Sequence, residues 1–187
     1  MVGWHHQLVI EGTVRLAEHD PEWAEEAKRT IACLKDLLKG QEISDYQHVG
    51  STSIISIPAK PIIDIAVAIK DESVVGKCEK VMTDAGYKYL GKIADDDWMY
   101  YIGHPGQNDR THHIHFVTQG SDAWIGYLAF RDYLNANPAA AKKYEDTKRA
   151  LAKELQNERK KYRDGKGVVV DELEKEALKW WNSKQEK

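Results

Sequence analysis

The stretch Gln47-His48-Val49-Gly50-Ser51-Thr52, with Asp64-Ile65-Ala66-Val67 starting twelve positions after Thr52, decides the reading of this chain. A Gly-Ser turn leaving a short apolar strand exposes backbone N–H groups and a hydroxyl, and the missing Cβ lets an anion approach the main chain. Gly50, Ser51 and Thr52 are therefore the first candidates for holding a phosphate. Residues 61–69 read as the next strand and deliver one carboxylate, Asp64, beside that turn. Both faces of this strand are otherwise apolar, as in a central strand covered on two sides, so a lone carboxylate there needs a partner or a task. A second acid two residues on would share its strand face. That position is Ala66.

Composition narrows the classes. The chain has 187 residues, 42% hydrophobic and 30% charged, which suits one domain with a substantial core. A formal charge of −3 argues against general nucleic-acid binding, which calls for a basic balance or stripe. No run approaches the roughly 18 apolar residues that span a bilayer, and residues 1–12 lack the long apolar core of a signal peptide. A cytoplasmic protein without membrane attachment is the expectation. Cys33 and Cys78 have no CxxC partner, so both are expected to be buried, reduced thiols. His5 and His6 fall in an N-terminal tail, residues 1–13, ahead of a single domain over 14–187.

Asp20 as cap, Pro21 in the first turn and Trp23, Ala27, Ile31, Leu34 and Leu38 at helical spacing predict a helix ending at Gly40. Strands are expected over 43–49 and 61–69, a helix over 74–85 ending at Gly86, and strands over 87–90, 98–102 and 111–117. The Gly-, Pro- and Asn-rich residues 103–110 read as a loop. From Ser121 on the pattern is helical: 122–135, a helix capped by Asn137 with Pro138 in its first turn, and one starting near Val168 after a turn at Asp164-Gly165-Lys166-Gly167. Trp23, Trp124, Tyr127, Trp180 and Trp181 read as core and helix-packing residues.

His48-Val49-Gly50-Ser51-Thr52, Ala59-Lys60-Pro61-Ile62-Ile63-Asp64-Ile65, His113-Ile114-His115 and Leu128-Ala129-Phe130-Arg131-Asp132-Tyr133-Leu134, with Pro138, Tyr144 and Lys148 behind them, closely resemble the GrpB-like family over residues 14–181. The resemblance implies a nucleotidyltransferase-like α/β fold, a mixed β-sheet flanked by helices with a helical C-terminal part. In that superfamily the Gly-Ser turn holds a triphosphate and acids on the next strand hold Mg²⁺. A fusion of GrpB-like domains to dephospho-coenzyme A kinase in some bacteria implies a link to coenzyme A metabolism.

Each candidate carries a plainer reading beside it. Gly50 and Ser51 either cradle phosphate or make a tight turn with Ser51 bonding locally; Asp64 either holds a divalent metal or pairs with Lys60 or Arg110. His113 and His115 share one strand face, His112, Ile114 and Phe116 the other. The two imidazoles stand near the place of the superfamily's third acid. With Asp64 they are candidates for metal ligation and catalysis, for hydrogen bonding to a ligand, or for a structural role. Such a nitrogen-containing set suits Zn²⁺, Mn²⁺ or Fe²⁺ better than Mg²⁺. Lys60 can reach a phosphate at the turn. Arg131, Lys148, Tyr162 and Lys166, which match the family's helical motifs, either wall an anionic ligand or serve helix packing and solvation. His48 is expected to anchor the turn.

The leading expectation is a nucleotidyltransferase-fold enzyme that binds a nucleotide or phosphorylated small molecule at Gly50-Ser51, with Asp64 as the carboxylate for Mg²⁺ or Mn²⁺. A catalytically inactive nucleotide- or coenzyme-binding regulator and a hydrolase using Asp64, His113 and His115 stand as alternatives. With Ala66 in place of the second acid, the usual two-metal arrangement is incomplete.

Overall fold

The computed structural model describes residues 14–104, 109–155 and 158–185. Helix α1, Glu22–Leu37, starts where Asp20 Oδ1 accepts the Glu22 N–H at 2.9 Å and buries Trp23, Ala27, Thr30 and Leu34 along one stripe. Strand β1, Ile43–Val49, leads into a single 3₁₀ turn, Ser51–Ser53, and β2, Ile63–Ile69, runs back antiparallel to it. Helix α2, Ser73–Asp84, strands β3, Lys88–Ala94, β4, Asp97–Ile102, and β5, His112–Thr118, complete the sheet in the order β1-β2-β5-β4-β3. β2 and β5 are parallel and the other pairs antiparallel. The expected mixed α/β architecture with a helical C-terminal part is what the chain forms.

Alternation sorts β2 and β5 onto two faces. Ile63, Ile65, Val67, Ile69, Ile114 and Phe116 pack against α1 and α2 in the main core. The other face carries Asp64, Ala66 and Ala68 beside His113, His115 and Val117. There Trp124 of α3, Asp122–Ala136, covers Ala66, Ala68 and Val117. Helices α4, Pro138–Glu154, and α5, Arg159–Gln185, join α3 around Ile54, Ile57, Leu134, Tyr144 and Leu173.

Three expectations need correction. The turn at 164–167 is helical, and α5 begins nine residues before Val168. Gly165 lies where an added Cβ would stand 3.1 Å from Leu151, so the glycine admits a close α4–α5 approach, and packing overrides its low helix propensity. Cys33 is exposed on α1, one position short of the buried stripe, whereas Cys78 is buried. Asn137 does not cap α4 with its side chain; its Nδ2 donates backward to the Tyr133 carbonyl at 2.8 Å, closing α3 instead. The expected tail, with His5 and His6, lies outside the described residues, as does part of the loop after Gly103. No helix among the described residues is long and apolar enough to cross a membrane.

Candidate functional site

Gly50 adopts φ 71°, ψ −170°, a conformation open chiefly to glycine. The need for glycine is also steric, because a Cβ there would lie 2.3 Å from Asp64 Oδ2. Register explains the closeness: Val49 pairs with Asp64, so the chain leaves β1 directly over the carboxylate. Thr52 donates to the Ile62 carbonyl at 3.3 Å, which leaves its lone pair for the His48 Nε2–H at 3.0 Å. Burial pushes His48 down to about 4, so it anchors the turn as a neutral ring. Ser51 Oγ is 3.2 Å from the Tyr144 hydroxyl on α4.

The parallel register places Asp64 beside His113 and Ala66 beside His115. Burial keeps His113 below its ordinary value, so it is neutral and its Nδ1–H donates to Asp64 Oδ1 at 2.9 Å. Its Nε2 lone pair is then buried with no hydrogen-bond partner among the described residues. His115 stands between two carboxylates, Nε2 3.9 Å from Asp64 Oδ1 and Nδ1 3.2 Å from both oxygens of Asp97. Burial opposes its charge, but Asp64 and Asp97 outweigh it and push His115 up to about 9. Tyr127 donates to Asp97 Oδ2 at 2.7 Å and completes the chain. Burial opposes the Asp64 charge as well, yet His113 and His115 hold it well below the usual carboxylate range.

A cavity of about 250 Å³ opens over Asp64, lined by Ser51, Lys60, Asp64, His113, Lys148 and Lys166, with Tyr162 and the apolar Val14, Leu16 and Ile62. Lys148 is 1% exposed, and its Nζ has no hydrogen-bond partner among the described residues. It lies 4.6 Å from the centre of the Tyr144 ring. Burial, reinforced by the nearby Lys166, pushes its amine down to about 7. A hidden amine with no hydrogen-bond partner among the described residues, facing a second lysine and sensing only the more distant Glu145 charge, is the arrangement an anionic guest would complete.

The sequence-derived residues thus divide. Ser51, Lys60, Asp64, His113, Lys148, Tyr162 and Lys166 meet in one cavity. His115 lies behind Asp64, and Thr52 is turned inward. Arg131 holds β1 in place, donating to Gln47 Oε1 at 2.8 Å and the His48 carbonyl at 3.0 Å. Arg110 lies over the Tyr101 ring, so Asp64 finds its described partners in the histidines. Asp97, the last of the run Asp95-Asp96-Asp97 just ahead of the expected strand 98–102, carries no signal of its own in the sequence. Only the β4–β5 register, Met99 opposite His115, brings it to the imidazole. Tyr127, a packing residue by its sequence pattern, is a hydrogen-bond donor to Asp97 in the structure.

Asp64, His113 and His115 each offer one donor atom, all within 4.8 Å of one another. The ionised Asp64 fits a divalent cation, and His113 would join it through Nδ1 only after giving up the hydrogen bond to the carboxylate. His115 fits less well, since it would first have to release its proton.

A family model described as GrpB protein matches residues 13–176. The chain is 36% identical over 156 residues to the glutamate-rich protein GrpB of Alkalihalophilus pseudofirmus, covering 80% of this chain and 87% of that one. It superimposes on the crystal structure of the conserved protein GrpB from Enterococcus faecalis with a TM-score of 0.81 at 32% identity, over 89% of this chain and 99% of the other. A dephospho-CoA kinase of Mycobacterium tuberculosis shares 26% identity over 159 residues, which span 73% of this chain and 39% of the kinase.

Proposed function

This chain belongs to the GrpB family, and on that premise we propose that its cavity binds a nucleotide or a similar phosphorylated small molecule with a divalent cation. The observation that carries the reading is the meeting of Asp64, Ser51, Lys60 and Lys166 with the unpartnered Lys148 amine in one cavity. Asp64 would hold Mg²⁺ or Mn²⁺, which supplies charge neutralisation for a phosphate. Lys148 and Lys166 would take the remaining negative charge, Lys60 would approach from the β2 side, and Ser51 would orient an oxygen through its hydroxyl. The sequence match to a dephospho-CoA kinase keeps coenzyme A-type phosphates among the ligands to try.

A second reading, a binding protein without catalysis, draws on Ala66. It is fully buried beneath Trp124, so β2 offers the cavity a single carboxylate. The hydrolase reading needs all three donors, and the proton that His115 holds between two carboxylates weighs against it.

Melting of the protein with ATP or pyrophosphate, with and without Mn²⁺, tests the proposal. The parent is expected to gain several degrees with ligand and metal together. Asp64→Asn keeps the volume and should lose the metal-dependent part of that gain. Full retention of the gain in the variant would make Asp64 structural. Pyrophosphate release from ATP in the presence of an acceptor would separate the enzyme from the binding protein.

A further inference from the structure

Strand register carries the row that begins at Asp64 past the anion cavity to the far edge of the sheet. His113 pairs with Asp64, Tyr101 with His113 and Lys88 with Tyr101, so the four share one face of β2, β5, β4 and β3. At an inter-strand spacing of about 4.8 Å, Tyr101 stands roughly 10 Å from Asp64 and Lys88 one strand further. We propose that this row is one elongated site in which Arg110 and Lys88 hold a second phosphate, so that the ligand is phosphorylated at both ends. The inference rests on the phosphate reading of the cavity and extends it.

Two cations converge on the Tyr101 ring, Arg110 Cζ at 4.3 Å and Lys88 Nζ at 5.6 Å from its centre. Neither has a carboxylate partner among the described residues. Lys92, on the same strand but the opposite face, differs: it lies over Trp98 and pairs with Asp95 at 3.3 Å. Contact through a ring face leaves the N–H fork of a guanidinium available to phosphate oxygens. The two like charges also repel until an anion joins them. All three side chains can be reached, Lys88 being exposed and Tyr101 and Arg110 half-buried. The Arg110 charge extends to the cavity end of the row, where it adds to burial in holding His113 below its ordinary value. Gly91, the next β3 residue paired on this face, has nothing within 4 Å of where a Cβ would stand, which leaves space beside Met99 for the body of a ligand.

Adenosine 3′,5′-bisphosphate and AMP differ only in the second phosphate, and calorimetric titration of each into the full chain with Mn²⁺ tests the proposal. The parent should bind the bisphosphate about tenfold more tightly, the effect of one hydrogen bond between charged groups. Arg110→Gln and Lys88→Gln should each cut that ratio severalfold and leave the AMP affinity unchanged. Lys92→Gln removes the same charge from the opposite face of β3 and should keep the ratio, which separates a built subsite from general attraction of a more highly charged ligand. The Tyr101 ring signals in NMR should move with the bisphosphate and not with AMP. Where AMP binds, equal affinities in the parent, a ratio that survives both Arg110→Gln and Lys88→Gln, or an equal fall in Lys92→Gln overturns the inference and leaves the cavity reading standing. Binding of neither molecule overturns both.

Discussion

The two faces of β2 and β5 are made by the same fourteen residues and behave as different materials. On one, Ile63, Ile65, Val67, Ile114 and Phe116 disappear under α1 and α2. On the other, Asp64, His113 and His115 form a polar row that α3 covers only in part. Fold and chemistry are interleaved residue by residue, so a single substitution can address one without the other.

Phe116→Ala should show the largest effect. The ring is fully buried against Tyr100, 5.2 Å between centroids, and its loss should cost about 3–5 kcal/mol in denaturant unfolding. Folded variant should still bind pyrophosphate as the parent does; a parallel loss of affinity would break the separation of faces.

Asp97→Asn should cost about 2 kcal/mol at pH 6, since it removes one of the two carboxylates around a buried imidazolium. His115 is raised from 6.5 to about 9, so its stabilisation is fully present below pH 6.5 and is lost as pH rises through 9. In the variant the NMR titration of His115 should shift downward, and the stability gap from the parent should close above pH 9.

Gly50→Ala should cost about 1–3 kcal/mol, the range for a strained backbone position, and should abolish ligand binding because the new methyl displaces Asp64. Isothermal titration with pyrophosphate and Mn²⁺ reads the second effect directly.

Lys148→Met should have the smallest effect on stability and the opposite sign, a gain on the order of 1 kcal/mol near pH 7 as a buried amine with no hydrogen-bond partner among the described residues is removed. Pyrophosphate affinity should fall all the same. The folded-state value of Lys148, about 7, lies below the ordinary 10.5, so the unfolded chain holds the extra proton and stability climbs over that interval. Between pH 7 and 9 this climb opposes the decline from His115. The Met variant should expose the decline alone and Asp97→Asn the climb, in melts across that range.

Most of this sheet was legible in the sequence. The apolar run 61–69 with one acid, the alternation of 112–117 and the Gly-Ser turn placed β1, β2 and β5, and parity alone put His113 and His115 on one face. Local pattern does not carry register, which is why Asp97 and Tyr127 were missed as partners of His115. Nor does it carry helix–helix distance. Gly165 and Gly167 read as a turn, and only the closeness of Leu151 accounts for the glycine within a continuous helix. The exposure of Cys33 turned on one position of helical phase.

The placement of β5 between β2 and β4, parallel to the first and antiparallel to the second, also bears on when the site comes into being. Gly50 and Asp64 meet across a local antiparallel pair, which a short stretch of chain can form early. His113 joins Asp64 only across 49 positions, after α2, β3 and β4 have been laid down and the central strand has slotted between its neighbours. Closing so long a loop delays contact formation. The turn and its carboxylate are thus expected to assemble before the histidines join them, and a cation that needs both would report on completion of the sheet.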